Sequence, residues 1–85
     1  MAYQYRTKGV CSRSITFDIQ DGVITDVQFE GGCNGNTQGI AALVEGMAVD
    51  EAIRRLSGIR CGYKDTSCPD QLANALRQAI ESDEN

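Results

Sequence analysis

Four cysteines carry the clearest chemical signal in this chain of 85 residues, and they are Cys11, Cys33, Cys61 and Cys68. The chain contains no histidine, which excludes mixed Cys/His zinc sites, Cys–His nucleophile pairs and histidine bases. Cysteine thiolates bind Zn²⁺ and iron–sulfur clusters, and they are also the nucleophiles of thiol–disulfide exchange. We therefore expect all four thiols to form one metal site. We identify no catalytic residue and no site for an organic cofactor.

Cys68 has the strongest local argument for reactivity. Pro69 follows it, and proline is favoured at the first position of a helix, so we predict Cys68 as the N-cap of the last helix. Unpaired main-chain N–H groups and the helix dipole at this end favour the thiolate form. The basic residues near the cysteines, Arg13, Arg60 and Lys64, are interpreted as solvated surface charges.

The first 30 residues predict three strands. Residues 2–7 alternate aromatic and polar side chains, which indicates an edge strand. Apolar residues alternate with polar ones again over residues 15–20 and over residues 23–30. Cys11 precedes the second strand and Cys33 follows the third. In an antiparallel hairpin these two positions lie at the same end of the sheet.

The register of this hairpin depends on its turn. We predict a three-residue loop over residues 20–22, which pairs Ile19 with Val23 and gives its last glycine the left-handed conformation. A two-residue loop would instead place Phe17 opposite Asp26 and mix the apolar and polar faces.

The rest of the chain predicts three helices, over residues 37–46, over residues 49–56 and from Cys68 onwards. Asn34 or Asn36 is the expected N-cap of the first helix. In the second, charged residues spaced four apart predict two ion pairs, Asp50–Arg54 and Glu51–Arg55. The expected fold class is α+β: a three-stranded antiparallel sheet followed by three helices packed on one face, in one domain over residues 1–85.

Composition narrows the class of protein. Hydrophobic residues make up 41% and charged residues 24% of the chain, and the net charge is −4, without the basic stripe that direct nucleic-acid binding requires. No secretory signal or membrane-spanning apolar run is visible, so we expect a cytoplasmic protein that does not bind membranes. In a reducing compartment, four cysteines favour metal ligation or redox chemistry over structural disulfides.

The segment Thr66-Ser67-Cys68-Pro69-Asp70 spells the signature of the TSCPD domain. Together with residues 29–36, the Cys61-Gly62 pair and residues 71–73, it makes the chain resemble small four-cysteine members of that family. These are similar to the C-terminal domain of cobalamin-dependent (class II) ribonucleotide reductases. The resemblance implies an accessory or homologue of that domain in deoxyribonucleotide synthesis for DNA biosynthesis, with a protein partner that could be a ribonucleoside-diphosphate reductase. A catalytic barrel and a cobalamin pocket do not fit in 85 residues, so we expect no stand-alone reductase activity.

A more distant resemblance is to the U-type iron–sulfur cluster scaffold proteins. Cys11, Cys33 and Cys68 fall in the order of the three cysteines of those proteins, which implies a three-stranded antiparallel sheet packed by helices. The histidine that precedes the third cysteine in the scaffold proteins is Ser67 here, and Cys61 has no counterpart. These departures favour a closed site of four thiolates over cluster assembly.

Three functions follow from the thiols. The first is a small metal-binding module with Zn²⁺, or alternatively an iron–sulfur cluster, on all four cysteines. The second is a thiol–disulfide relay that uses Cys61 and Cys68, which requires the intervening loop to fold back so that the two Cα atoms approach within about 7 Å. The third is a scaffold that delivers an iron–sulfur cluster.

Overall fold

The computed structural model describes residues 2–10, 12–31, 34–60, 62 and 65–84. Three strands are followed by three helices, so the predicted α+β fold class is confirmed. The elements are β1 (Ala2–Arg6), β2 (Ser12–Gln20), β3 (Val23–Gly31), α1 (Asn34–Val44), α2 (Val49–Leu56) and α3 (Cys68–Glu84). None of the helices in these ranges is long and apolar enough to cross a membrane.

The three strands form one antiparallel sheet in the order β1-β2-β3. This order confirms β1 as an edge strand. Tyr3 on β1 stacks on Phe17 of β2, with 5.4 Å between the ring centroids. Tyr5 pairs with Ile15 on the same strands. These aromatic and aliphatic pairs place the apolar residues of β1 and β2 on the face that packs against the helices.

The predicted register of the β2–β3 hairpin is wrong. Ile19 pairs with Ile24, not with Val23, and the turn has only two residues, Asp21 and Gly22. Their φ angles are 54° and 76°. Two successive positive φ angles give a turn whose twist matches that of the flanking strands, and Asp-Gly is among the sequences that adopt it most readily.

A β-bulge makes the shorter turn compatible with an apolar core. The register shifts opposite Phe17, where Asp26 and Val27 together face a single residue of β2. Asp26 has a φ of 56°. The extra residue lets Ile24 and Val27, three positions apart, both face the core, where they are 0% and 7% exposed.

The helices agree with the prediction in number and order. The bounds of α2, Val49–Leu56, are confirmed, whereas α1 begins at Asn34, earlier than predicted. Asn34 and Asn36 therefore both lie inside α1, and neither is its N-cap. On α2, the Glu51–Arg55 pair is confirmed, but Arg54 bonds Glu51 rather than Asp50.

The hydrophobic core lies between the sheet and the helices, and α3 contributes the largest share of it. The largest side chains that are fully buried in this core are Ile15, Phe17, Ile24, Leu72 and Leu76. The start of β2 lies close to the start of α3, where Ser12 contacts Cys68. That end of the molecule holds the candidate site.

Candidate metal centre

The N-cap of α3 is Ser67 and not Cys68. The Ser67 main-chain carbonyl accepts the first helical hydrogen bond, from the Gln71 amide at 2.8 Å, and its Oγ accepts one from the Asp70 amide at 3.2 Å. A hydroxyl oxygen is a stronger acceptor than a thiol sulfur, so the serine caps the helix and the cysteine becomes its first residue. Pro69 then lies in the first turn, where main-chain N–H groups have no acceptor within the helix, so the lack of an N–H group in proline costs no hydrogen bond.

The cap also holds the segment that follows α2. Ser67 Oγ donates to the main-chain carbonyl of Ile59 at 2.7 Å. The Asp70 carboxylate accepts from the Gly58 amide, with 2.7 Å between Oδ1 and the nitrogen. Gly58 and Ile59, which follow α2, therefore lie against the start of α3.

A second set of hydrogen bonds holds the loop between β1 and β2. Gln71 is only 6% exposed, and its side chain donates to Thr66 Oγ1 at 3.0 Å while accepting from the Lys8 amide at 3.1 Å. Thr66 Oγ1 itself donates to Asp70 Oδ2 at 2.6 Å. Gly9 has a φ of 73°, and a Cβ there would lie 3.4 Å from the Thr66 methyl group. The close approach and the left-handed backbone both suit glycine at this position.

Cys68 contacts the beginning of β2. Its Sγ lies 3.2 Å from Ser12 Oγ, and the Cys68 side chain is half-buried and free of a disulfide. Ser12 is 3% exposed. Ser12 pairs with Gly31 at the end of β3, and its carbonyl accepts a hydrogen bond from Thr7 Oγ1. Sheet pairing therefore holds the serine in place beside the thiol.

The other three predicted ligands, Cys11, Cys33 and Cys61, lie outside the described residues, so the four-thiolate site stays a prediction. In the part of the chain that the structure describes, no group of three or more Cys, Asp or Glu side chains could hold a metal ion.

An open groove of about 710 Å³ runs beside Ser12. Its lining is Gln4, Arg6, Thr7, Val10, Ser12, Arg13, Ser14 and Glu30. Arg13 and Glu30 form an ion pair at 3.4 Å, and both side chains are well exposed, which confirms Arg13 as a solvated surface charge. This polar lining differs from the mostly apolar lining typical of sites for organic cofactors.

The TSCPD-domain family model matches residues 1–80. The chain belongs to the TSCPD domain family. The match is consistent with the resemblance to a domain associated with ribonucleotide reductases. Searches of curated proteins and of solved structures found no match.

The structure gives each residue of the TSCPD signature a physical role. Thr66 and Asp70 bond each other, Asp70 also bonds the Gly58 amide after α2, and Ser67 caps the helix. Cys68 faces Ser12, and Pro69 occupies the first turn. Sequence reasoning chose the cysteines but missed Ser12 and Gln71, whose contacts join segments far apart in the chain. Their positions directly after Cys11 and directly after the signature were the available signal.

Proposed function

We propose that this TSCPD domain is a small metal-binding module in which the thiolates of Cys11, Cys33, Cys61 and Cys68 hold one Zn²⁺ ion. An iron–sulfur cluster is the alternative occupant. The module works in the reducing cytoplasm as an accessory or homologue of the C-terminal domain of cobalamin-dependent ribonucleotide reductases. It has no reductase activity of its own.

The contact between Ser12 and Cys68 carries the proposal. Ser12 directly follows Cys11 in the sequence, and its Oγ lies 3.2 Å from Cys68 Sγ. Ser12 also pairs with Gly31, which precedes Cys33 by two residues. The start of β2, the end of β3 and the start of α3 thus meet at one place, and each adjoins a cysteine.

The segment that precedes the fourth cysteine in the sequence reaches the same place. Ile59, two residues before Cys61, accepts the hydrogen bond from Ser67, the residue just before Cys68. All four cysteines therefore flank or belong to segments that touch one another near the N-terminus of α3. This convergence supports a single site better than sequence spacing does, because the chain lacks the usual Cys-x2-Cys pairs.

The donor set fits a closed zinc site. Four thiolates and no histidine match the tetrahedral all-cysteine coordination of structural zinc, which leaves no open position for a substrate. Four thiolates on Zn²⁺ leave two net negative charges, and Arg13, Arg60 and Lys64 each follow or precede a cysteine within three residues. Basic residues at these sequence positions would offset part of that charge. The bound metal would supply cross-links between loops.

Metal analysis of anaerobically purified protein tests the proposal. We expect about one equivalent of zinc per chain, and thiols that react with a thiol reagent only after a chelator is added. Replacing each of the four cysteines with serine in turn should lower the zinc content, whereas Ser14→Ala should leave it unchanged. Less than about half an equivalent of any metal in the wild-type protein would contradict the proposal. Iron with a visible absorption band would identify the iron–sulfur alternative.

A thiol–disulfide relay through Cys61 and Cys68 is the second candidate. The hydrogen bond between Ser67 and Ile59 favours it, because it brings together residues that precede the two cysteines by one and two positions. In such a relay the Cys68 thiolate attacks a partner's disulfide, and Cys61 then displaces the reduced partner and forms the intramolecular disulfide. A relay predicts two thiols that disappear on mild oxidation and return with a dithiol reductant, with no effect of a chelator.

The partner in this proposal is a protein, and the family association makes a ribonucleotide reductase the first one to test. Co-elution with a class II reductase in gel filtration would support the association. The same experiment with the wild-type protein after metal removal shows whether docking depends on the metal.

A further inference from the structure

We infer that Ser12 is a positioning residue that donates a hydrogen bond to the Cys68 thiolate and thereby strengthens metal binding. The inference rests on the proposed four-thiolate site, in which Cys68 is a ligand and Ser12 is not. Ser12 lies outside the signature, and the family match assigns no role to its side chain.

The direction of the hydrogen bond follows from the chemistry of the ligand. The oxygen and sulfur atoms are 3.2 Å apart. A cysteine that binds a metal does so as a thiolate, which has no proton to donate. The Ser12 hydroxyl must then be the donor, so the hydrogen bond orients the sulfur and stabilises it when the metal is bound.

Ser12 is suited to hold the sulfur in one orientation. It is 3% exposed, so bulk water scarcely competes for its hydroxyl. Its main chain is anchored through the pairing with Gly31 and through the hydrogen bond from Thr7. The hydroxyl thus reaches Cys68 from a different element of the fold, with a geometry that the sheet determines. Groups that bond metal ligands in this way commonly change metal affinity by about 10- to 100-fold when they are removed.

Ser14 provides a matched control within the same strand. It is also buried, at 8% exposure, but its hydroxyl donates to Glu30 Oε2 at 3.1 Å instead of to a thiol. Both serines lie on β2 and both lose one hydroxyl group on substitution by alanine. A general effect of removing a buried hydroxyl would therefore appear in both variants, whereas an effect on the metal site would appear only at Ser12.

The experiment measures the zinc dissociation constant of the full chain by competition with a chromophoric chelator. We expect Ser12→Ala to raise it by about 10- to 100-fold, and Ser14→Ala to change it by less than about 3-fold. Ser12→Thr keeps a hydroxyl and should restore most of the affinity. In the cobalt-substituted protein, the thiolate-to-cobalt absorption band should shift in Ser12→Ala and stay in place in Ser14→Ala. Circular dichroism of the metal-free variants checks that each one is folded.

The possible outcomes distinguish a failure of the role of Ser12 from a failure of the proposed four-thiolate site. If the wild-type protein binds no metal, the proposed function fails and the inference fails with it. If the wild-type protein binds zinc and Ser12→Ala binds it equally tightly with an unshifted cobalt band, only the inference is overturned. Should Ser12→Ala fail to fold, the variants Ser12→Thr and Ser12→Val decide, because they have nearly the same shape and differ in the hydroxyl. Equal zinc affinities for those two would also overturn the inference.

Discussion

The Asp70 carboxylate bonds the main-chain amide of Gly58 at 2.7 Å, across twelve residues of sequence. Its other oxygen accepts from the Thr66 hydroxyl at 2.6 Å. A single acidic side chain in the first turn of α3 therefore holds two segments: the end of the α2 region and the residue before the helix cap. This helps to explain why an aspartate closes the TSCPD signature.

Replacing Asp70 with alanine should lower the free energy of unfolding by about 2 kcal/mol, since two hydrogen bonds to a charged group are lost. Asp70→Asn keeps one acceptor oxygen and should lose less. Urea denaturation at neutral pH measures both. Asp65 lies in the same loop and is exposed, so Asp65→Ala is the control and should change stability by less than about 0.5 kcal/mol. Equal losses at Asp65 and Asp70 would contradict the role of the carboxylate.

The bulge in β3 makes a prediction about Asp26, whose φ is 56°. A β-branched residue is strained in this left-handed conformation, so Asp26→Val should destabilise the protein by about 1–2 kcal/mol. Asp26→Gly has no Cβ to strain and should stay within about 0.5 kcal/mol of the wild-type protein. Gln28→Val, at an exposed position two residues further along β3, is the control in the same denaturation series. If Asp26→Val proves as stable as Gln28→Val, the bulge is not where the structure places it.

Metal removal should leave the fold in place. The buried core that the described residues form is made of aliphatic and aromatic side chains from both layers, including Ile15, Phe17, Leu72 and Leu76. Packing of this kind does not depend on a metal, in contrast to zinc fingers that unfold without one. We expect the far-ultraviolet circular dichroism at about 25 °C to persist after chelation, with a lower melting temperature. A random-coil spectrum on chelation alone would refute this.

Shortening a core side chain should destabilise the protein whether or not metal is bound, which provides a comparison for the chelation experiment. Leu72 is completely buried, and Leu72→Ala should cost about 2–5 kcal/mol with or without metal. Leu43 is 76% exposed, and Leu43→Ala should cost little.

Acid should weaken the ion pairs of α2. Hydrogen bonds from Arg54, and next from Arg55, lower the pKa of Glu51 from 4.5 to about 2. Since the folded pKa lies below the unfolded one, these bonds stabilise the protein above pH 4.5, and this contribution is lost as the pH falls towards 2. The stability difference between the wild-type protein and Glu51→Gln should shrink over that interval, while Asp50→Asn serves as the control. Titration of the Glu51 carboxyl carbon by nuclear magnetic resonance should show a midpoint near 2, and a midpoint near 4.5 would contradict the pairing.

The number, type and order of the elements could be predicted because they depend on local periodicity. Alternation marks the three strands, and apolar spacing marks α2 and α3. The register of the hairpin could not be predicted in the same way. The register depends on the left-handed backbone conformation of Asp26. An aspartate at an exposed position of a strand usually has an extended backbone, so the residue type alone does not predict this conformation. The alternation expected for β3 therefore gave no sign of the bulge.

The sequence by itself determined the α+β order and the family, through patterns that lie within a few neighbouring residues. It also identified the four cysteines as candidate ligands, because few other residues of this histidine-free chain bind soft metals. Only the tertiary structure decided that Ser67 caps α3, that Ser12 meets Cys68 and that Asp70 holds Gly58. The last two contacts join residues that are distant in sequence. They arise when burial of the shared core brings the sheet and α2 against α3, so no local pattern encodes them.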